Sequence, residues 1–149
     1  MPRIRRAATV GWDGSLSRGS GVVDADTSGA FSLPFTLASR VADPEGKTSP
    51  EELLAAAHAC CFGTSLAGEV ARAGGTVVHL DVTCEIIMDE VEGGHHRIVA
   101  SDLDARAHVE GLDAEGLDRA TEVADRGCPF SALIRASASV SVRARLESS

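Results

Sequence analysis

The chain has no tyrosine, one tryptophan and four phenylalanines among its 149 residues. A core must therefore be assembled from Ala, Val, Leu and Ile. Basic residues are also short, with 14 Lys and Arg against 22 Asp and Glu and a formal net charge of −8. Neutralising phosphates needs the opposite surplus, which excludes nucleic acid as a partner. The cluster Arg3, Arg5 and Arg6 is too short to reverse that balance, and an anionic lipid surface fails on the same ground. No run of twenty apolar residues occurs, so no membrane partner is expected. Residues 7–17 lack the apolar stretch of a secretory leader. The expectation is a cytoplasmic protein. In that compartment four cysteines are not a disulfide framework. They are buried thiols, metal ligands or redox-active groups.

What is present suits one domain, residues 1–149, of mixed secondary structure. Residues 4–12 and 19–25 read as two short strands about the turn Asp13, Gly14, Ser15. Residues 32–37 read as a third, placed at an edge by Pro34. Ser49 can cap a helix, Pro50 fits its first position and Glu52 closes a capping box. That helix should run to Arg72 and stop at Gly74 and Gly75. Residues 53–68 contain no Asp, Glu, Lys or Arg, so the helix is expected to be buried on all sides, yet too short and too polar for a bilayer. One small chain cannot surround it, which points to a homodimer. Beyond it, Val78, Leu80, Val82, Cys84, Ile86 and Met88 alternate with the intervening residues, as in a strand with one wet face. Val99, Leu103, Ala105, Ala107 and Val109 mark the return strand. Asp113 caps a second helix, Cys128 and Pro129 open a short third one to about Arg135, and residues 136–146 form the last strand. The order predicts an α+β fold with a mainly antiparallel sheet.

The chemistry lies among the cysteines. Cys84 falls on the apolar face of a strand and reads as a small core residue. Cys60 and Cys61 point about 100° apart on their helix, so one of them at most faces a given cavity. Cys128 stands where a helix begins, and free N–H groups there favour a thiolate. Local physics therefore ranks Cys128 first, while Cys61 needs a neighbouring cation. His58 and Cys61 share a helix face at i, i+3. The chain has no Cys-x-x-Cys and no His-x-x-x-His, which argues against zinc. No nucleophile elbow surrounds any serine.

Residues 48–62, TSPEELLAAAHACCF, resemble the central helix of OsmC/Ohr proteins, and residues 127–131, GCPFS, resemble their second cysteine motif. Trp12, Asp13 and Gly14, followed by Gly19, Ser20 and Gly21, look like their N-terminal hairpin. The resemblance covers essentially the whole chain. It implies an OsmC-like fold with sheets packed on long central helices in an intertwined homodimer. The implied activity is reduction of organic hydroperoxides, with an external dithiol as reductant and no cofactor or metal. By matching positions, Cys61 corresponds to the peroxidatic cysteine, Cys128 to the resolving one, Arg40 to the arginine that lowers the thiol pKa, and Glu51 to the carboxylate that holds it. The position of Arg40 favours the OsmC branch. The Ohr branch carries its arginine nearer the N-terminus, where Arg18 is the candidate. Cys60 departs from the pattern, standing where the family has a small residue, and is expected to face the core. The rival readings are a non-catalytic binder of apolar ligands and a redox sensor on the same scaffold.

Overall fold

The Asp13–Gly14 corner begins the connection of a hairpin between β1 (Thr9–Asp13) and β2 (Ser20–Asp24) in the computed structural model, which describes residues 2–148. Gly14 sits at φ +92°, a conformation that disfavours any side chain. Strand β3 (Ser32–Phe35) completes an antiparallel sheet of order β1-β2-β3. Pro34 is thus on an edge strand, where a missing N–H is tolerated. The rings of Trp12 and Phe35 meet at 5.5 Å between centroids. A Cβ on Gly21 would collide with both, so the glycine lets the two aromatics close over the strand.

A five-residue helix, α1 (Leu37–Val41), follows and was not anticipated. Thr36 and Ser39 form a reciprocal capping box at its start. The buried Ser39 hydroxyl also donates to the Thr48 carbonyl at 2.7 Å. This ties α1 to the entrance of α2 (Pro50–Arg72). The Ser49 hydroxyl accepts the Glu52 N–H at 3.1 Å, as expected of a cap. The Glu52 carboxylate instead accepts from the Thr48 hydroxyl at 2.8 Å, so the expected capping box is replaced by a bond one residue earlier.

The chain divides into two compact units, Met1–Leu53 and Leu54–Ser149. In the second, β4 (Thr76–Val91), β5 (His95–Glu110) and β6 (Ser139–Leu146) form a separate three-stranded sheet in that order. Strands β4 and β5 pair antiparallel, and β6 joins β5 in parallel. Parallel pairing requires a crossover. Helices α3 (Ala114–Gly127) and α4 (Pro129–Arg135) supply it. Three of the four strand pairings are antiparallel, so the fold is α+β as expected, but split into two small sheets. Two residues near the start of β4 depart from simple alternation. The register shifts between Val77 and His79, and Val78 turns outward while Val77 packs inward.

The core of this unit joins Leu103, Ala105 and Ala107 of β5 to Phe62, Leu66 and Val70 of α2 and Leu117, Ala120 and Ala124 of α3. The buried residues of α2 are His58, Phe62, Leu66 and Val70, one stripe at four-residue spacing. All-round burial, expected from composition, does not occur within one chain. At 23 residues α2 is also long and apolar enough to cross a membrane, contrary to the sequence reading. Its buried stripe instead packs in the core of the second unit.

Candidate active site

Cys128 joins two helices. With φ −78° and ψ 114° it ends α3 and caps α4, and Pro129 occupies the first turn of the new helix. Its thiol accepts the Ser131 N–H at 3.5 Å. The residue is fully buried. Across from it, on α2, Cys61 is half-buried, and the two Sγ atoms lie 3.3 Å apart. A disulfide bond is about 2.05 Å long, so these are free thiols separated by little more than 1 Å of approach. Spacing in the sequence left their reach open, and the fold brings them together.

Burial raises the Cys61 thiol above its ordinary value. Its hydrogen bond with Cys128 acts in the same direction, the Phe130 backbone N–H opposes it, and the charges of Cys128 and Cys60 add to the rise. None of these influences is a cation. The direction is opposite to the lowering implied by the resemblance. The cause is that α2 buries Cys61 among apolar groups and thiols, which disfavours the charged sulfur. Phe62 is fully buried in the core, and Phe130 packs against that core.

Arg40 and Glu51 meet in the first unit. Arg40 Nε donates to Glu51 Oε1 at 2.8 Å, and Nη2 approaches the same oxygen at 2.7 Å. Both donors converge on one oxygen. Glu51 Oε2 is buried and has no hydrogen-bond partner among the described residues. Glu51 thus forms an ion pair with Arg40. Two features place the arginine. The capping box of α1 sets its helix, and Glu51 sits in the first turn of α2.

His58 shares a helix face with Cys61, and the structure engages its ring with two serines. His58 is fully buried, with Nδ1 2.6 Å from Ser101 Oγ and Nε2 2.8 Å from Ser131 Oγ. Cys84 Sγ lies 3.2 Å from the same Ser101 hydroxyl. Burial raises the Cys84 thiol, the Ser101 hydrogen bond opposes that, and Asp102 adds to it. Cys84 also packs against the core, as expected. Cys60 is exposed in this chain, so the expectation that it faces the core fails. Its direction on α2, well away from that of Cys61, takes it off the buried stripe. No cluster of three metal-ligating side chains occurs among the described residues.

Fold and site together describe an α+β protein that holds two free thiols 3.3 Å apart. Residues 43–143 match the family model described as OsmC-like protein. The chain belongs to the OsmC family. It is 32% identical over 133 residues to Peroxiredoxin OsmC of Escherichia coli strain K12, covering 89% of this chain and 92% of that protein. Peroxiredoxin OsmC of Shigella flexneri matches to the same extent. Among solved structures, an organic hydroperoxide resistance protein from Elizabethkingia anophelis superposes with a TM-score of 0.78 at 21% identity, covering 98% of this chain and 99% of that one. OhrB of Bacillus subtilis gives 0.72 at 22% identity, covering 93% and 98%. These likenesses establish the OsmC/Ohr fold. Peroxiredoxin activity is the activity named for the curated relatives.

Proposed function

We propose that the chain is a single-domain, thiol-dependent peroxidase that reduces organic hydroperoxides, and hydrogen peroxide as a secondary substrate. The observation that carries this reading is the 3.3 Å separation of the Cys61 and Cys128 sulfurs, which come from positions 67 residues apart. The Cys61 thiolate attacks the outer peroxide oxygen, the O–O bond breaks and the alcohol leaves. Cys61 is then a sulfenic acid. The Cys128 thiol condenses with it, forming the disulfide and releasing water. An external dithiol returns both sulfurs to thiols by exchange, and the chemistry needs no cofactor or metal. A need for continual reduction suits a cytoplasmic location.

The thiolate requires a positive charge to offset burial. We assign that role to Arg40, with Glu51 as the carboxylate that orients its guanidinium. We also assign a homodimer. Outside its buried stripe, α2 leaves Leu54, Ala55, Ala57 and Ala59 half-buried and Ala56 exposed. A second copy offers these apolar groups the cover that one chain withholds.

The test is intact mass and peptide mapping of the reduced protein after one equivalent of an alkyl hydroperoxide. The expected product has lost two hydrogens, mapped to a Cys61–Cys128 bond. Scattered oxidation that includes Cys60 and Cys84 would return the chain to the reading of a non-catalytic binder of apolar ligands.

A further inference from the structure

The buried imidazole of His58 links three elements of the second unit. It projects from α2, three residues before Cys61 and on the same helix face. Its two nitrogens reach Ser101 on β5, at 2.6 Å, and Ser131 on α4, at 2.8 Å. Ser131 is also the residue whose N–H holds the Cys128 sulfur. Cys128 in turn lies 3.3 Å from Cys61. The contacts therefore close a circuit that leaves α2 at His58, crosses the first turn of α4, and returns to α2 at Cys61. Burial lowers the His58 pKa, Asp125 opposes this and Arg135 adds to it. At neutral pH the ring is uncharged, with one nitrogen donating and the other accepting. It can satisfy both serines at once. Among the described residues, no hydrogen bond joins the ring to the Cys61 sulfur.

We propose that His58 is a positioning residue for the thiol pair: held between Ser101 and Ser131, it fixes the start of α4 and so the approach of Cys128 to Cys61. Its part in turnover rests on the peroxidase reading above. The step it governs is condensation of the Cys61 sulfenic acid with the Cys128 thiol. The S–O bond of Cys61 breaks, the S–S bond forms, and the Cys128 proton leaves with the hydroxyl as water. The peroxide has already supplied the oxidation. The earlier attack on peroxide involves only the Cys61 sulfur and its immediate charge environment, so it does not depend on where α4 begins.

Two measurements on the full chain separate this role from simple filling of the core. The first follows Cys61 sulfenic acid and then disulfide by rapid quench and mass spectrometry with an alkyl hydroperoxide. The second uses no peroxide and reads the thiol–disulfide equilibrium of the Cys61–Cys128 pair in dithiothreitol buffers. His58→Leu and Ser131→Ala are each expected to slow disulfide formation by about tenfold or more, and to shift the dithiothreitol equilibrium toward the thiols by about tenfold, through lost proximity. Sulfenic acid formation should change by less than about twofold. His58→Gln, which keeps a neutral donor and acceptor, should recover part of both losses. If His58→Leu does not fold, Ser131→Ala carries the comparison, because it removes one hydroxyl and leaves the ring. Equal slowing of both steps, or no shift in the equilibrium, overturns the proposal. A wild-type protein that does not reduce peroxide, with variants that still shift the equilibrium, defeats the peroxidase reading and leaves the positioning role standing.

Discussion

Residue by residue, the two sulfurs of the candidate site do not have equal environments. Cys61 is half-buried and Cys128 is fully buried, so in the proposed peroxidase chemistry Cys61 is the sulfur that meets the peroxide. Cys61→Ser is therefore expected to abolish turnover. Cys128→Ser should permit about one turnover and then leave Cys61 to be oxidised further, since no thiol resolves its sulfenic acid; coupled consumption of peroxide and the mass of the product read both. Burial raises the Cys61 thiol, and Arg40 is assigned to counter it. Arg40→Ala should slow alkylation of Cys61 near neutral pH by about tenfold per unit of pKa increase and move its pH midpoint upward. Alkylation indifferent to that change would remove Arg40 from the mechanism. His58 gives a separate signal. Its folded pKa lies below the ordinary 6.5, chiefly through burial. The unfolded chain therefore binds the proton more readily, and stability falls as pH drops from about 6.5 toward the folded value. Urea midpoints should decline across that window and become flatter in His58→Gln.

Among the elements, helix starts and strand alternation were legible because their causes are local. Pro50 at the start of α2, Asp113 capping α3 and Pro129 at the start of α4 all stand where the sequence places them. Helix α1 was missed, although Thr36 and Ser39 carry a capping signal three residues apart. A helix of five residues has too little periodicity to declare itself. The parallel pairing of β6 was likewise invisible. Its alternation is identical in either direction, and only the crossover through α3 and α4 selects one. Leu103 shows how such pairing creates a core. It is 2% exposed, on the face of β5 that meets α2 and α3. Leu103→Ala is expected to cost about 2–5 kcal/mol in denaturant unfolding, because neighbouring alanines cannot collapse into the space. A loss below about 1 kcal/mol would mean that the helices close over the gap.

The whole molecule poses the question of what covers α2. Composition demanded burial on every side, while one chain buries a single stripe beginning at His58. The assigned homodimer should appear by sedimentation at micromolar concentration. Ala56→Glu, which places a charge on the exposed apolar side, should shift it toward monomer without unfolding the chain. A monomeric wild-type protein would show instead that the apolar face of α2 has a different partner.

The sequence by itself determined the α+β class, the order of most elements and the two cysteine motifs. It also supplied the pairing of Arg40 with Glu51 through the family resemblance. Capping, chain alternation and motif identity act over a few residues, so they survive without a structure. Tertiary structure decided the rest. It brought sulfurs 67 residues apart to 3.3 Å, turned Cys60 outward, set the direction of the Cys61 shift and gave His58 two serines as partners. Each of these depends on burial or on contacts between distant segments. Such quantities have no value until α2, the sheet and α4 meet in space.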